Sequence, residues 1–511
     1  MEWLSEGRYE YEHQHPPLAR VATALGPYLA GLRSTGQRTM DEEGNRILSS
    51  GGHYFRNLSL ARMGVLPFFI LACVLVWLWS KRLFGNTTAL VSILLFTTLP
   101  PILAHSGLAT TDMAAAAFLL ASVYTFTLWL ERPGRKETAL FGLSVALAML
   151  SKFSILLFLP VCLLVTLLLY WVAGKTGDRH HCPRGAKTAP WDSDASHRIV
   201  SLALAAVLAF LVIWAGYRFS FGPITPKPYR PLQMVDKWLG GISLPAPELF
   251  DGIAEVEWHN ARGHPSWLLG EYRLHGWWYF FLVVFAVKTP LAFILLCIAG
   301  YDACFSRKHF SWQLWVPGAC APAVLAVCIP TSINLGVRHI LVMYPMLAIV
   351  AGFGATSLLQ TRKRAVMTLS IALLAWQTLS SALAHPDYLA YFNEFVRSEP
   401  ERILSDSDMD WGQDMQRLSN KLKELGVKEV SLVCFGTADT SQLGFPTVKI
   451  AKPYRPVTGW IAVSAHMATI ESAMIEKDLK RSDAPLGWLE SERPVAKIGK
   501  TIKLYYVPER H

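Results

Sequence analysis

Apolar and polar positions fall along this chain in long blocks. Residues 1–57 are polar and hold neither a spanning segment nor a signal-peptide pattern. Runs of spanning character follow at 58–80, 87–105, 112–130, 138–151, 154–173, 198–216, 276–300, 313–330, 339–358 and 364–384. A helix needs about 20 apolar residues to cross a bilayer, so the pattern predicts about ten membrane helices. The short 138–151 run depends on its flanks. After residue 385 the pattern changes. Met415, Leu418, Leu422 and Leu425 recur at helical spacing, Gly426 can end that helix, and strand-like runs follow at 429–435, 460–464 and 502–507. The expected fold is an α-helical polytopic membrane protein with a small α/β C-terminal domain. Its parts are an N-terminal segment (1–57), a membrane domain (58–384) with a long loop at 217–275, and a tail domain (385–511).

Composition agrees with that class. The chain is 52% hydrophobic and 17% charged, with 18 Trp and 17 Tyr to sit at interfaces. Mean hydropathy is +0.30. The net charge of +10 does not point to nucleic acid, because the basic residues gather in short loops between apolar runs. Lys81 and Arg82, then Arg132, Arg135 and Lys136, then Lys175, Arg179, Arg184, Lys187 and Arg198 form three such clusters. Arg307 with Lys308, and Arg362 to Arg364, form two more. If the helices alternate, every cluster falls on one side, which the positive-inside rule makes the cytoplasm. The N-terminal segment, Asp112, the 217–275 loop, the 332–339 loop and the tail then lie on the exoplasmic face. An exoplasmic N-terminus with nothing before it to carry it across leaves two readings, a short tail translocated unaided or a first helix upstream of Met1, and the second is the favoured expectation.

The polar groups of that outer face are the candidate chemistry. Asp112 lies in SGLATTDMAAAAF (106–118), at the start of an apolar run with no cation beside it in sequence. It reads either as a helix N-cap favoured by the macrodipole or as a functional acid at the membrane boundary. His15 opens HPPLAR (15–20), where prolines stiffen the chain before a short helix. Glu255, Glu257, His259, Asn260, His264 and Glu271 crowd one loop, as sugar or metal binding requires and as solvated loop residues also do. Lys288 sits deep in an apolar run and needs an anion or a water-filled cavity. Arg338 and His339 stand at a helix mouth, where an arginine fork suits a phosphate or a lipid headgroup. Four acids in SDSDMDWGQD (405–414) hint at a calcium loop but lack its Gly and Glu, so a structured turn docking the tail is the better reading. The eight cysteines form no CxxC pair, and Gly352 and Gly354 are too weak a signal for a nucleotide loop.

With these residues in view the chain resembles the GT-C membrane glycosyltransferases, in particular bacterial relatives of the protein O-mannosyltransferases and lipid A aminoarabinose transferases. The matching stretches are HPPLAR (15–20), GLATTDM (107–113), LSKFS (150–154), WAGYRFS (214–220), HNARGHPSWLLGE (259–271), GWWYFFLVVFAVKTPL (276–291) and INLGVRHILVMYP (333–345). HPDYLAYFNE (385–394) and DSDMDWGQD (406–414) extend the likeness into the tail. The resemblance implies inverting transfer of a sugar from a polyprenyl-phosphate donor to a lipid, glycan or protein acceptor outside the cytoplasmic (inner) membrane. It implies Asp112 as the catalytic carboxylate, a general base toward the acceptor's proton, with Arg338, His339 and Lys288 near the lipid phosphate. His15, Glu257, His259, His264 and Glu271 would line the substrate. A divalent metal stays open as a cofactor, since no ligand spacing is sharp. The family's acid pair before the HPPL segment is absent here, leaving Glu6, Glu10 and Glu12 as the nearby acids. A non-catalytic relative is the alternative. A transporter is disfavoured because no internal repeat is visible.

Overall fold

The computed structural model describes residues 1–176, 195–224, 242–307, 310–396, 398–478 and 485–509. Arg179, Cys182, Arg184, Lys187, Lys308 and the 225–241 part of the long loop lie outside the described residues.

Each of the ten apolar runs forms helix, in three ways. Six make single helices long and apolar enough to cross a membrane: Tyr54–Phe84, Asp112–Glu131, Ile155–Lys175, Ala195–Gly216, Leu341–Leu359 and Arg364–Ala384. Two are bent pairs, Asn86–Thr97 with Pro100–Ser106 at 68° and Phe280–Lys288 with Leu291–Phe305 at 108°. Proline explains both breaks. Pro100 and Pro290 have no backbone N–H to continue a helix, and each suits the start of the next one. The remaining two, Arg135–Met149 and Trp312–Cys328, are shorter.

Leu341–Leu359 and Asp112–Glu131 form the centre, with 89% and 83% of their apolar windows buried, against 17% for Ala195–Gly216 at the periphery. Outer helices leave Ile199, Leu204, Val207, Ile371 and Leu379 exposed. Apolar side chains in such density belong in lipid, and the chain is a multi-pass membrane protein. Close approach in the centre depends on small residues. A Cβ on Gly300 would stand 2.1 Å from the Val350 carbonyl, and one on Gly354 would stand 2.2 Å from that of Leu296. Gly354 is thus a packing residue.

The basic loops and the polar candidates occupy opposite ends of the bundle. At one end Arg82 pairs with Glu131, and the Arg307 guanidinium lies 4.8 Å from the Phe353 ring. At the other the N-terminal segment packs down: the Leu18 amide donates to the Leu150 carbonyl at 3.0 Å and the Trp3 indole to that of Gly216 at 3.0 Å. From the long loop come the helix Pro247–Arg262 and a hairpin of Ser266–Leu268 and Glu271–Arg273.

The tail holds the helix Met415–Glu424 and a five-stranded sheet ordered Thr447–Ile450, Glu429–Val433, Gly459–Ser464, Ile502–Val507, Ala496–Ile498. The first three strands are parallel and the last two antiparallel. Leu418 and Leu422 of the helix bury against Val430, Leu432 and Leu504 of the sheet. The tail is joined to the loop hairpin, where the Leu269 amide donates to the Ile403 carbonyl at 3.0 Å.

Candidate functional site

Asp112 begins its helix fully buried, with 0% exposure. Folding supplies the cations that its sequence neighbours lack. Lys152, in the turn between Arg135–Met149 and Ile155–Thr176, places Nζ 2.7 Å from Oδ1, and Arg338 places Nε 3.2 Å from Oδ2. His105 Nδ1 is 3.7 Å from Oδ2. Both carboxylate oxygens are therefore engaged by cations that are distant in sequence.

The 332–339 loop that carries Arg338 is fixed by three hydrogen bonds, one from the Pro247–Arg262 helix and two from the 407–408 turn. The Ser332 amide donates to Asn260 Oδ1 at 3.1 Å. The Val337 amide donates to Asp408 Oδ1 at 2.8 Å, and Ser407 Oγ donates to the Leu335 carbonyl at 2.6 Å. Gly336 turns the loop at φ +78, and a Cβ there would stand 2.1 Å from Asp408 Oδ2, so a side chain is excluded twice over. The Arg338 guanidinium carbon lies 4.6 Å from the centre of the Trp411 ring. Asp112 takes Nε, and the two terminal nitrogens make no hydrogen bond among the described residues.

Arg338 and His15 each line two cavities. The larger, about 710 Å³, runs between the Ile155–Thr176 and Pro247–Arg262 helices. Leu156, Leu157, Ile253 and Val327 make its walls apolar, and Lys152, Arg338 and His339 bring cationic and imidazole groups to it. His339 is stacked 5.2 Å from Phe281 and set edge-on 5.4 Å from Phe158, with both ring nitrogens buried and without a hydrogen-bond partner among the described residues. Burial first, and then the charges of Lys152 and Arg338, lower its pKa to about 3, so the ring is neutral near pH 7. Burial likewise lowers the pKa of Lys152, against the pull of Asp112.

The smaller cavity, about 430 Å³, lies under the N-terminal segment and is lined by Glu12, Arg20, Thr110 and Thr111 beside the shared His15 and Arg338. The hydroxyls of Thr110 and Thr111 and Nδ1 of His15 are buried without a hydrogen-bond partner among the described residues. His15 Nε2 stands 3.6 Å from Glu12 Oε1. Burial is the main cause that lowers the His15 pKa. Glu12 and Glu257 are the carboxylates that line these cavities among the described residues.

The expected site residues separate into two sets. His15, Glu257, His259, Arg338 and His339 reach the larger cavity. His264 stands behind His259, 3.2 Å away, and 3.8 Å from Asp406. Glu271 lies on the exposed face of the hairpin, paired with Arg273 at 3.1 Å, and lines neither cavity. Lys288 also lines neither. The helix ends at Lys288 instead of burying it mid-span, and Nζ donates to the carbonyls of Leu389 at 2.8 Å and Asp408 at 2.6 Å. The acids of the 406–414 turn are likewise used by the protein. Asp410 accepts the amides of Gly412 and His466, and Asp414 those of Lys500 and Thr501. Among the described residues no group of three or more His, Cys, Asp or Glu side chains is arranged to hold a metal ion.

Sequence reasoning missed Lys152, Thr110, Thr111 and Trp411 as parts of the site. Lys152 had a readable signal. It is a lone lysine between two apolar runs, on the side of the membrane opposite the basic clusters.

A helical membrane body, a small α/β tail and this polar junction make the chain similar to the GT-C glycosyltransferases. Residues 58–181, which include Asp112 and Lys152, match the family described as dolichyl-phosphate-mannose-protein mannosyltransferase. Among solved structures the chain is similar to ArnT from Cupriavidus metallidurans bound to undecaprenyl phosphate. Identity is 13% and the TM-score 0.44, over 97% of this chain and 88% of that one. It is also similar to the archaeal oligosaccharyltransferase AglB from Archaeoglobus fulgidus in complex with an inhibitory peptide and a dolichol-phosphate. There identity is 13% and the TM-score 0.42, over 92% of this chain and 64% of that one. No curated protein matches the chain.

Proposed function

We propose that this protein transfers a sugar from a polyprenyl-phosphate donor to a hydroxyl-bearing lipid, glycan or protein acceptor at the outer face of the cytoplasmic membrane. The observation that carries the reading is the pair of cavities meeting at His15 and Arg338, one apolar-walled and one polar. A lipid-linked sugar needs an apolar groove ending in cations, and its acceptor needs a separate approach to the same point. The family match over residues 58–181 supports a lipid-phosphate-linked sugar as the donor class. The basic loops at the far end of the bundle support an outward-facing site.

In this reading the prenyl chain lies along Leu156 and Leu157, and the phosphate meets the terminal nitrogens of Arg338 and the neutral ring of His339. As the bond from the anomeric carbon to the phosphate oxygen breaks, its electron pair goes to that oxygen, where Arg338 and Lys152 offset the charge. The acceptor oxygen attacks from the side of the smaller cavity, opposite the leaving phosphate, which inverts the anomeric centre. Its proton goes to Glu12, the carboxylate lining that cavity. Asp112 lines neither cavity and serves as the anchor of Arg338 and Lys152.

The test is release of undecaprenyl phosphate from undecaprenyl-phosphate hexoses and pentoses by the protein in nanodiscs supplied with membrane-extract acceptors. Release that Arg338→Ala abolishes supports the proposal. Absence of both release and undecaprenyl-phosphate binding overturns it. Binding without release identifies a non-catalytic relative.

A further inference from the structure

Trp411 belongs to the tail domain, yet its ring covers the guanidinium of Arg338, with 4.6 Å between the ring centre and the guanidinium carbon. The contact is one part of a clamp. Asp408 holds the Val337 amide, Ser407 holds the Leu335 carbonyl, and Lys288 donates to the carbonyls of Asp408 and Leu389. The 407–411 turn thus grips the loop on both sides of Gly336, where a Cβ would meet Asp408. Asp410 and Asp414 in turn tie the turn to the tail through the amides of His466, Lys500 and Thr501.

We propose that Trp411 is a positioning residue for Arg338 and that the tail domain is, through it, a wall of the donor-phosphate site. Asp112 fixes Arg338 at Nε alone, which leaves the plane of the guanidinium free to rotate about that contact. An aromatic face against the guanidinium removes that freedom, so the two terminal nitrogens stay turned to the ligand. The same stacking takes water from one face of the arginine, which strengthens its interaction with an anion on the other side. His105 sets the Trp411 ring edge-on at 6.4 Å from the membrane side, so the ring is itself held between the two domains. Two features that the transfer reaction does not otherwise use, the acidic turn and the buried Lys288, are accounted for as the mounting of this ring.

The proposal rests on Arg338 as the phosphate ligand, and two readouts separate the two claims. The first is the affinity for undecaprenyl phosphate of the full chain in detergent. Trp411→Ala is expected to weaken it about 2- to 30-fold, the range of one cation–π contact, while Trp411→Phe restores most of it. In an Arg338→Lys background the further effect of Trp411→Ala is expected to shrink below 2-fold. The second readout needs no donor. Phenylglyoxal labelling of Arg338, followed by mass spectrometry, is expected to rise in Trp411→Ala and to stay low in Trp411→Phe. A wild-type protein that does not bind undecaprenyl phosphate but shows the labelling change keeps the positioning role and sinks the proposed donor. Equal labelling of Arg338 in wild type and Trp411→Ala overturns the positioning role, as does an affinity unchanged by Trp411→Ala in a wild type that binds.

Discussion

The arrangement around Asp112 makes a quantitative demand. Its carboxylate is fully buried and balances two cations, Lys152 at 2.7 Å and Arg338 at 3.2 Å. Removing one partner of a buried charged set strands the others, at a cost of about 3–5 kcal/mol. Asp112→Asn keeps the volume and one accepting oxygen, so a loss near the lower end, about 3 kcal/mol, is expected in detergent unfolding. Adding Lys152→Met removes one of the stranded cations and should restore about 1–2 kcal/mol, so the two changes are strongly non-additive. A general base behaves differently: its loss lowers turnover by about 10²–10⁴-fold and leaves stability unchanged. An Asp112→Asn protein within about 0.5 kcal/mol of wild type, or single and double variants whose effects simply add, would refute the anchor assigned here.

Other consequences follow from single sites. His339 is neutral in the folded protein, with its pKa lowered from 6.5 to about 3, whereas the unfolded chain takes up a proton there near pH 6.5. Its contribution is full above pH 6.5 and falls as pH drops toward 3, by up to about 1.4 kcal/mol per unit. The stability gap between wild type and His339→Phe should accordingly narrow between pH 7 and pH 5, as read by thermal unfolding. Gly354→Leu forces a side chain against the Leu296 carbonyl and should cost about 1–3 kcal/mol or more, measured in the same way. Asp414→Ala leaves the Lys500 and Thr501 amides without their acceptor, and a loss of about 2–3 kcal/mol local to the tail should appear as faster proteolysis there.

The membrane body was legible because each apolar run is a local property of composition, and the structure turns every run into helix. The bends were not read, although Pro100 and Pro290 mark them, because a hydropathy window averages across a single proline. Arg338, His339, His15 and Asp112 stood out one at a time as polar groups at the outer boundary. The resemblance groups them at one site, but their direct contacts were not legible, because Asp112 meets Lys152 across 40 positions and Arg338 across 226. Lys288 stands apart from the two cavities for a related reason. A buried ammonium needs partners, and it finds them in backbone carbonyls at residues 389 and 408, which no local pattern could announce. Glu271 was grouped with its loop neighbours, but the hairpin alternates its faces, and this position points outward.

A structure of the protein with undecaprenyl phosphate bound in a nanodisc would locate the donor phosphate itself. The phosphate is expected on the terminal nitrogens of Arg338 and the ring of His339, with the prenyl chain following Leu156 and Leu157 along the Ile155–Thr176 helix. A phosphate seated away from Arg338, or an empty larger cavity at saturating lipid, would contradict that placement.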